Sequence, residues 1–271
     1  MTLASEIKRF ARFYGIRLAY AKELFALYSR KPEGYRPLFA VESDAKTTKG
    51  SKLGWLTGII YLAPGALSGH NVCTSASEEC LKACLSFEGR ARLFEAIMDA
   101  RIAKTHLLFD DRARFIASML HDAFRLLRSA ARRRMRPAIR VNGTSDLPWL
   151  AWIVAEAFPF VQCYDYTKHP KPYQRTRSNY HLTFSYSGHN WAHCVDALAH
   201  GINVTVVFAG RTLPSTFRGY KVIDGDNAHG DLRFLDEPGV IVGLKAKGKS
   251  ASKDVPAFIV DINSPFQILA A

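Results

Sequence analysis

Three cysteines lie close together in the sequence and offer the most distinctive chemistry in the chain. They follow the pattern Cys73-x6-Cys80-x3-Cys84, soon after a strand-like run, Leu56–Leu62. Three thiolates can hold a metal ion, and on a [4Fe–4S] cluster they leave one iron open to a further ligand. The alternative is a buried turn in which the cysteines act as small apolar residues. We favour metal or cluster binding because the residues between the cysteines are mostly polar.

Composition limits the class of protein. The chain has 271 residues, 48% of them hydrophobic, which is enough for a substantial core. Because no apolar stretch is long enough to span a bilayer and the N-terminus lacks a secretory apolar segment, we expect a cytoplasmic protein with no membrane partner. The odd number of five cysteines fits a reducing compartment. A formal net charge of +13 predicts a polyanionic partner, DNA or RNA ahead of a membrane surface.

The order of the predicted elements indicates an α/β fold. Residues 1–53 are predicted to be an N-terminal helical extension followed by a connector, and residues 54–248 a domain of alternating strands and helices. The predicted strands are Leu56–Leu62, Ala138–Val141, Phe160–Tyr164, Tyr180–Phe184, Ile202–Phe208, Tyr220–Ile223 and Val240–Leu244. The predicted helices of this domain cover Gly89–Lys104, Asp110–Met135, 148–158 and 189–200.

Such alternation implies parallel strands joined by right-handed crossovers. Seven strands are too few for an eight-fold barrel. We therefore predict a partial or irregular TIM-like (β/α) barrel, with an open doubly wound sheet as the alternative. Residues 249–271 are predicted to be a tail that packs on the barrel.

Polar residues gather where the predicted strands end, and function in such folds lies at those ends. Catalytic roles are predicted for Asp146, Tyr164, Asp165 and Lys168. Binding of a cofactor or substrate is predicted for Asn142, Ser145, Ser185 and Asp224. With Arg140 and Lys245, these residues are expected to face one cavity at the end of the sheet that carries the cysteines. The alternative for Ser145, Asp146 and Ser187 is helix N-capping.

Two further patterns have a possible function. Six arginines lie on one predicted helix and just beyond it, with no acidic residue among them: Arg125, Arg128, Arg132, Arg133, Arg134 and Arg136. This density predicts contact with phosphates, and a solvated helix end is the alternative. His189 and His193 have the spacing of a helical zinc site, but Asn190 stands where a zinc protease carries its Glu, so surface or capping histidines are favoured.

Several of these segments resemble a bacteriophage family known as the gene product 88 family. The resemblance rests on the Cys73–Cys84 loop with Gly89 and Arg90, and on a set of short motifs. The motifs are Ala100-Arg101-x2-Lys104-Thr105, Arg140–Asp146, Tyr164–Lys168, Leu182–Ser185 and Val222–Asp226. It covers most of residues 55–248 and implies a phage or prophage origin, without implying an activity.

A more distant similarity is to radical S-adenosylmethionine enzymes, which also carry three cysteines after the first strand of a partial barrel. The similarity implies a [4Fe–4S] cluster on Cys73, Cys80 and Cys84, whose open iron would bind S-adenosylmethionine. The cysteine spacing differs, x6 and x3 here against x3 and x2 in that family, and no Gly-Gly-Glu-like segment follows the second predicted strand.

Three functions follow from these patterns. The first is an iron–sulfur, radical S-adenosylmethionine-like phage enzyme that acts on nucleic acid or a nucleotide. The second is a phage protein that binds nucleic acid without redox chemistry, with structural zinc or free cysteines. The third is a metal-dependent nuclease that uses the carboxylates of Asp146, Asp165, Asp224 and Asp226.

Overall fold

A mixed sheet of ten strands forms the centre of the computed structural model, which describes residues 2–43, 45–82, 84, 95–226, 230–246 and 258–262. The strands are β1 Phe39–Val41, β2 Trp55–Ile60, β3 Arg136–Arg140, β4 Gln162–Thr167, β5 Tyr180–Ser185, β6 Val204–Phe208, β7 Thr216–Phe217, β8 Tyr220–Asp224, β9 Ile241–Lys245 and β10 Ile259–Val260. The described helices are α1 Leu3–Tyr14, α2 Leu18–Tyr28, α3 Ala45–Lys52, α4 Glu78–Lys82, α5 Glu95–Asp110, α6 Arg112–Arg133, α7 Pro148–Ala157 and α8 Trp191–Ala199.

The strand order places most of the chain in one parallel sheet. Strands β2 to β6 lie side by side in chain order and are followed by β9 and β8, all of them parallel. The antiparallel strands β1 and β7 form the two edges, and β10 lies beside the end of β6. The α/β class and the seven predicted strands are confirmed. The path of the described strands runs from β1 to β7 without closing on itself.

Several residues that the sequence places after strands lie inside them. Strand β4 starts two residues later and ends three residues later than predicted, so Asp165 is one of its central residues. Ser185 and Asp224 are likewise the last residues of β5 and β8. The reason is that Tyr166 and Thr167 are good strand formers and continue the pairing with β5. Neighbouring residues of a strand point to opposite faces, so this shift decides where each side chain lies.

The longest described helix, α6, follows its capping signals. The Asp111 side chain accepts a hydrogen bond from the backbone N–H of Arg114 at 3.0 Å and caps the helix N-terminus. The helix ends at Arg133, and the next residue, Arg134, has left-handed backbone geometry with a φ of 56°. Pro137 follows in β3, so α6 delivers the chain directly into the sheet.

The main core lies between one face of the sheet and the helices. Helices α6 and α7 pack against strands β2 to β5, and α1 and α2 pack on the outside of α6. Phe10 and Phe25 from the N-terminal helices contact Phe124 of α6, and Tyr28 contacts Phe158 after α7. The predicted N-terminal helices are therefore present, and they form part of the same core as the sheet.

The opposite face of the sheet carries a smaller cluster. Trp55, Ala138 and Tyr164 lie on neighbouring strands, and Leu232 and Phe234 cover them. These two residues belong to a segment with a single 3-10 turn, Arg233–Leu235. The turn covers this face together with α3, whose Gly50 lies close to Thr57 and Leu232.

Five of the described helices and strands were not predicted from the sequence. The predicted connector contains β1 and α3, the cysteine loop contains the short helix α4, and the last third of the chain adds β7 and β10. Of the predicted tail 249–271, residues 258–262 are described, and β10 joins the sheet, while 249–257 and 263–271 lie outside the described residues. The first part of the predicted helix Gly89–Lys104 also lies outside them. In the part of the chain that is described, no helix has the length and apolar character needed to cross a bilayer.

Candidate functional site

Asp165 holds together the carboxyl ends of β3 and β4 on the helix-covered face. Its side chain is 1% exposed and accepts hydrogen bonds from the backbone N–H of Asn142 at 2.9 Å and from the Asn142 amide at 3.0 Å. The Tyr180 hydroxyl donates a third bond at 3.1 Å. Burial raises the pKa of this carboxyl to about 7, while Arg140 and the hydrogen bonds act against the rise. The cluster thus satisfies a buried acid internally.

Asn142 turns the chain from β3 into α7. Its side-chain oxygen accepts hydrogen bonds from the Ser145 hydroxyl at 2.8 Å and from the backbone N–H of Leu147, the N-cap of α7, at 2.9 Å. The N-cap residue Leu147 has no side-chain capping bond, so neither Ser145 nor Asp146 caps α7 as the alternative interpretation expected, and Asn142 holds the turn that leads into the helix. Asn142 is 2% exposed and both ends of its amide are hydrogen-bonded, so it shapes the loop that the sequence assigned to cofactor binding.

The cysteine loop is fastened to the loops after β3 and β4. The backbone N–H of Asp146 donates to the Val72 carbonyl at 2.8 Å, and the Cys73 thiol donates to the Thr144 carbonyl at 3.7 Å. The Ser75 hydroxyl lies 2.8 Å from Nδ1 of His169. The loops after the neighbouring parallel strands β2, β3 and β4 therefore meet at the carboxyl ends of these strands, as predicted for Cys73 and Asp146.

Gly143 makes this meeting possible. A Cβ atom at this position would lie 2.7 Å from the Ile60 carbonyl oxygen and equally close to side-chain atoms of Ile59 and Tyr61. Its own backbone N–H donates to the Ile60 carbonyl at 2.9 Å. Only glycine can bring the β3 loop this close to the end of β2.

The three loop cysteines share one region. Cys73, Cys80 and Cys84 are all half-buried free thiols, with Cys80 on α4. Burial raises the pKa of Cys73 to about 11, and Asp146, Cys84 and Cys80 add to the rise through their nearby charges. The three sulfurs are not all within 4.8 Å of one another. Cys163 and Cys194 are buried in two separate apolar clusters, as expected of core residues.

A polar group at the end of β4 faces the cysteine loop. Asp146 accepts a hydrogen bond from the backbone N–H of Lys168 at 2.7 Å, and its pKa is raised by burial, against the effect of that bond. His169 lies 3.1 Å from the Asp146 carbonyl oxygen through Nε2, while Nδ1 meets Ser75. Ser75 and His169 were missing from the predicted site, although each follows a predicted strand and carries a polar side chain.

The prediction that Tyr164 and Asp165 line one cavity is wrong. They are neighbours in β4 and point to opposite faces of the sheet, since Tyr164 pairs with His181 and Asp165 with Leu182. Tyr164 is 1% exposed and packs edge-on against Phe234 in the smaller cluster. It is a core residue of the face opposite to Asp165.

A buried ionic network occupies the Tyr164 face. Arg140 lies 2.5 Å from Asp231 and stacks over the Tyr166 ring, while the Tyr166 hydroxyl donates to Asp231 at 3.0 Å. Arg233 pairs with Asp236 at 3.2 Å, and both side chains are at most 1% exposed. Arg140 therefore serves this network and does not face the cysteine loop.

The remaining predicted site residues lie on other strands. Ser185 ends β5, where its hydroxyl accepts a hydrogen bond from Thr205 at 3.2 Å. Asp224 and Lys245 form an exposed ion pair at 3.2 Å on β8 and β9, four and three strands along the sheet from β4. Within the described residues, Asp146, Asp165, Asp224 and Asp226 supply no group of three metal-binding side chains, and neither do His189 and His193.

Comparison with models of known protein families identifies the family of this chain. A model described as gene product 88 matches residues 37–259 of the 271. The chain belongs to the gene product 88 family. The search of curated proteins and the search of solved structures returned no match. The gene product 88 region begins just before β1 and ends at the first residue of β10, so it contains all of the sheet except Val260 and every residue of the candidate site.

The predicted arginine surface lies inside the gene product 88 region, and one of its acidic partners, Glu6, lies outside that region. Arg128 binds both carboxylate oxygens of Glu6 at 2.9 and 2.8 Å, and Arg132 lies 3.5 Å from the same side chain. Arg133 makes two bonds of 2.6 Å with Glu42. Four of the six arginines therefore have acidic partners, since Arg125 also pairs with Asp122 at 3.4 Å. Glu6 and Glu42 are distant in sequence and Asp122 lies just before the first arginine, so none of these acids stands within the arginine stretch.

The last two arginines have other contacts in this gene product 88 protein. Arg134 is the left-handed residue after α6, and Arg136 stacks over the Trp55 ring at 4.6 Å. Only part of the predicted basic surface faces a groove. That groove lies between α6 and β1 and is lined by Arg125, Arg128 and Arg132 together with Phe39 and Val41.

Proposed function

We propose that this protein is an iron–sulfur enzyme of phage origin that acts on a nucleotide or on nucleic acid inside the bacterial host. Cys73, Cys80 and Cys84 would hold a [4Fe–4S] cluster at the carboxyl edge of the parallel strands. A cluster held by three thiolates can transfer electrons, and it leaves one iron free to bind a further ligand. From the sequence similarity we infer that this ligand would be S-adenosylmethionine. The observation that carries the proposal is the attachment of the cysteine loop to the loops after β3 and β4.

The donor set fits a cluster better than a single zinc ion. With Zn–S bonds of about 2.3 Å, tetrahedral geometry places thiolates about 3.8 Å apart. The three sulfurs are more widely spread than that, because they do not all lie within 4.8 Å of one another. A cluster of several irons accommodates a wider set of cysteines. All three thiols are half-buried and free, which leaves them accessible to iron.

The side chains next to the cysteine loop would bind the substrate. The backbone bond from Lys168 to Asp146 fixes the residue at the end of β4, and the Lys168 ammonium supplies the positive charge that a phosphate requires. The Ser75 hydroxyl and the His169 ring add hydrogen-bonding groups at the same edge. Asn142 and Asp165 act indirectly, since their hydrogen bonds set the path of the β3 loop.

The sheet would curl into a partial barrel around this edge. Strands β2 to β6 follow one another in chain order, which is the arrangement of (β/α) barrels. In barrels of that kind, the loops after the strands surround the active site. The cysteine loop, which follows β2, would then lie on one side of the substrate, with the β4 loop beside it.

The test is the iron content of the anaerobically purified and reconstituted protein. We expect about four irons per chain and an absorbance band at about 400 nm, the wavelength region in which such clusters absorb. Cys73→Ser, Cys80→Ser and Cys84→Ser should each lose the cluster. Cys194→Ala, which removes a buried thiol from a different part of the fold, is the control and should keep it. Iron content that is unchanged in all three serine variants would overturn the proposal.

The groove beside α6 favours a second candidate, a protein that binds nucleic acid without redox chemistry. The groove has a volume of about 500 Å³ and combines three arginines with the apolar side chains of Phe39, Val41 and Leu126. Arginines bind phosphates, and apolar or aromatic side chains contact unpaired bases. In this case the cysteines would hold zinc or remain free thiols.

A further inference from the structure

We propose a second metal site, separate from the cysteines, formed by His70, His106 and Asp110. One donor atom from each of these side chains lies within 4.8 Å of the other two. Among the residues that the structure describes, this is the only such group of three. The ligand would be a divalent first-row transition ion of the Zn²⁺, Fe²⁺ or Co²⁺ type.

Two independent elements bring the three side chains together. His106 and Asp110 lie one turn apart on α5, with His106 Nδ1 3.8 Å from Asp110 Oδ2. His70 comes from the loop after β2, more than thirty positions earlier in the sequence. A salt bridge between His106 and Asp110 would explain two members of the group. It does not explain why a second imidazole is held against the first.

The loop fixes the position of His70. The backbone N–H of Val72 donates to the Gly65 carbonyl at 2.9 Å, which closes the loop into a compact turn. The His70 ring then stacks on Phe109 of α5, with centroids 4.2 Å apart and an angle of 4° between the rings. Its centroid lies 5.7 Å from that of His106. Stacking sets the plane of the ring before any ion binds, which reduces the entropy lost on binding.

The donor set matches a borderline metal. Imidazole nitrogen suits zinc, copper, iron and nickel, and two histidines with one carboxylate form a known arrangement for such ions. With metal–ligand bonds of about 2.0–2.2 Å, the donor atoms must lie about 3.0–3.5 Å apart. Side-chain rotations can supply this closure because His106 and Asp110 are 46% and 66% exposed.

The position of Asp110 adds to the argument. It is the last residue of α5, where the helix dipole is negative and disfavours a carboxylate. A cation bound between Asp110 and the two rings would offset this cost. Three protein ligands also leave coordination positions open, as in metal sites that bind a further molecule.

The test is Co²⁺ binding to the full chain in which Cys73, Cys80 and Cys84 are replaced by Ser, so that thiols cannot compete. We expect one ion per chain in isothermal titration calorimetry, with a visible spectrum that lacks thiolate-to-metal bands. His70→Ala, His106→Gln and Asp110→Asn should each weaken Co²⁺ binding by at least about tenfold. Loss of a residue that only hydrogen-bonds to a metal ligand already lowers metal affinity by about 10- to 100-fold, so loss of a ligand should have at least that effect. All three side chains lie at the surface or are half-buried, and thermal unfolding of each variant checks that it is folded.

The matched control is His200→Gln. His200 and Asp196 form another exposed pair one turn apart, at 3.6 Å, and His200 also stacks on an aromatic ring, Tyr173. No second histidine completes that pair among the groups found in the described residues. We expect Co²⁺ binding to be unchanged in this variant. Equal loss in the control and in His106→Gln, or no binding by the parent at micromolar Co²⁺, would overturn the proposal. Because the three loop cysteines are replaced in this variant, the result is independent of the cluster.

Discussion

Two titratable side chains, the buried Asp165 and the half-buried His181, lie on opposite faces of the sheet and respond to pH in opposite directions. Burial raises the pKa of Asp165 to about 7, so that below pH 7 the folded state takes up a proton before the unfolded state does. Burial, with the charge of Arg233, lowers the pKa of His181 to about 4, so that below about 6.5 the unfolded state takes up the proton first. Acidification therefore adds stability through Asp165 and removes it through His181.

Replacing His181 by Gln should change the pH dependence of stability. In the native chain His181 costs stability progressively as the pH falls from about 6.5 to about 4, by at most about 3 kcal/mol. The variant lacks this loss, so its free energy of unfolding should fall less over that range. Urea unfolding at a series of pH values measures the difference. His193→Gln, at an exposed position of α8, should leave the profile unchanged. Parallel profiles for the native chain and His181→Gln would contradict the prediction.

The contribution of Gly143 to the stability of the fold can be measured with a single substitution. In Gly143→Ala the new methyl group would overlap the Ile60 carbonyl and its neighbours at 2.7 Å, so the β3 loop must move away from β2. We expect a loss of about 1–3 kcal/mol, the usual cost of overpacking, together with weaker attachment of the cysteine loop. Chemical denaturation measures the loss. In the control Gly210→Ala, the Cβ has open space and only its left-handed backbone, with a φ of 90°, opposes it. A loss in Gly143→Ala below about 0.5 kcal/mol would show that the loop can shift freely.

At the scale of elements, one carboxylate on α6 positions the first strand. Asp122 is 5% exposed and accepts hydrogen bonds from the Tyr35 hydroxyl at 2.5 Å, from the backbone N–H of Leu38 at 2.7 Å and from that of Phe39 at 3.3 Å. Strand β1 begins at Phe39 and has only three residues, so its pairing with β2 contributes little by itself. Helix α6 therefore holds this edge of the sheet through a side chain.

Replacing Asp122 by Ala should weaken the attachment of β1 to the rest of the sheet. The change leaves two backbone N–H groups and a hydroxyl without their acceptor, which costs about 1–3 kcal/mol for each buried group that water cannot reach. We expect a total loss of about 2–4 kcal/mol and faster hydrogen exchange in β1 than in β2. Exchange measured by mass spectrometry locates the effect. Asp99→Ala, at an exposed position of α5, is the control. Unchanged exchange in β1 would show that strand pairing alone is enough.

The sequence predicts long elements and misses short ones. Each of the seven predicted strands is present, because runs such as Ile202–Phe208 carry enough β-branched and aromatic residues to be recognised. Strands β1, β7 and β10 have two or three residues, too few to show a period. Helix α3 is almost entirely polar, and contacts with β2 hold it in place. The position of β9 between β6 and β8 depends on pairing between distant segments, which local patterns do not encode.

At the scale of the whole molecule, the site and the charge distribution depend on long-range partners. The strand order brought the cysteine loop and the β4 loop together as predicted, but a shift of a few residues in β4 placed Tyr164 on the other face. Glu42 is 91 positions from its partner Arg133 and Glu6 is 122 positions from its partner Arg128. The net charge of +13 is therefore distributed differently from what the arginine run predicts. Arg125 and Arg132 remain 56% and 47% exposed in the groove.

If the groove binds nucleic acid, those two exposed arginines should carry most of the effect. In the double variant Arg125→Ala, Arg132→Ala, we expect weaker binding of a short single-stranded DNA. We also expect the slope of log affinity against log salt concentration to become smaller in magnitude by about 1–2, because each phosphate contact releases about one counterion on binding. Fluorescence anisotropy at several salt concentrations measures both quantities.

The control variant for this surface is Arg114→Ala. Arg114 lies on the same helix, is 41% exposed and pairs with Asp111, but it is not part of the groove lining. Its salt slope should equal that of the native chain. An identical slope in the double variant, or no binding by the native chain at low salt, would mean that the groove arginines serve only the ion pairs of the fold.

The packing of the first two helices has a consequence for how the protein is made. The Tyr14 hydroxyl donates to the Leu127 carbonyl, 113 positions later, and the Tyr20 hydroxyl to the Ala157 carbonyl, 137 positions later. A ribosome adds about 5–20 residues per second, so the partners of α1 and α2 emerge roughly 6–30 s after the helices themselves. During that interval Phe10 and Phe25 can contact each other but lack their shared partner Phe124. Apolar surface of α1 and α2 therefore stays exposed on the nascent chain, open to non-native contacts, until α6 and α7 have been synthesised.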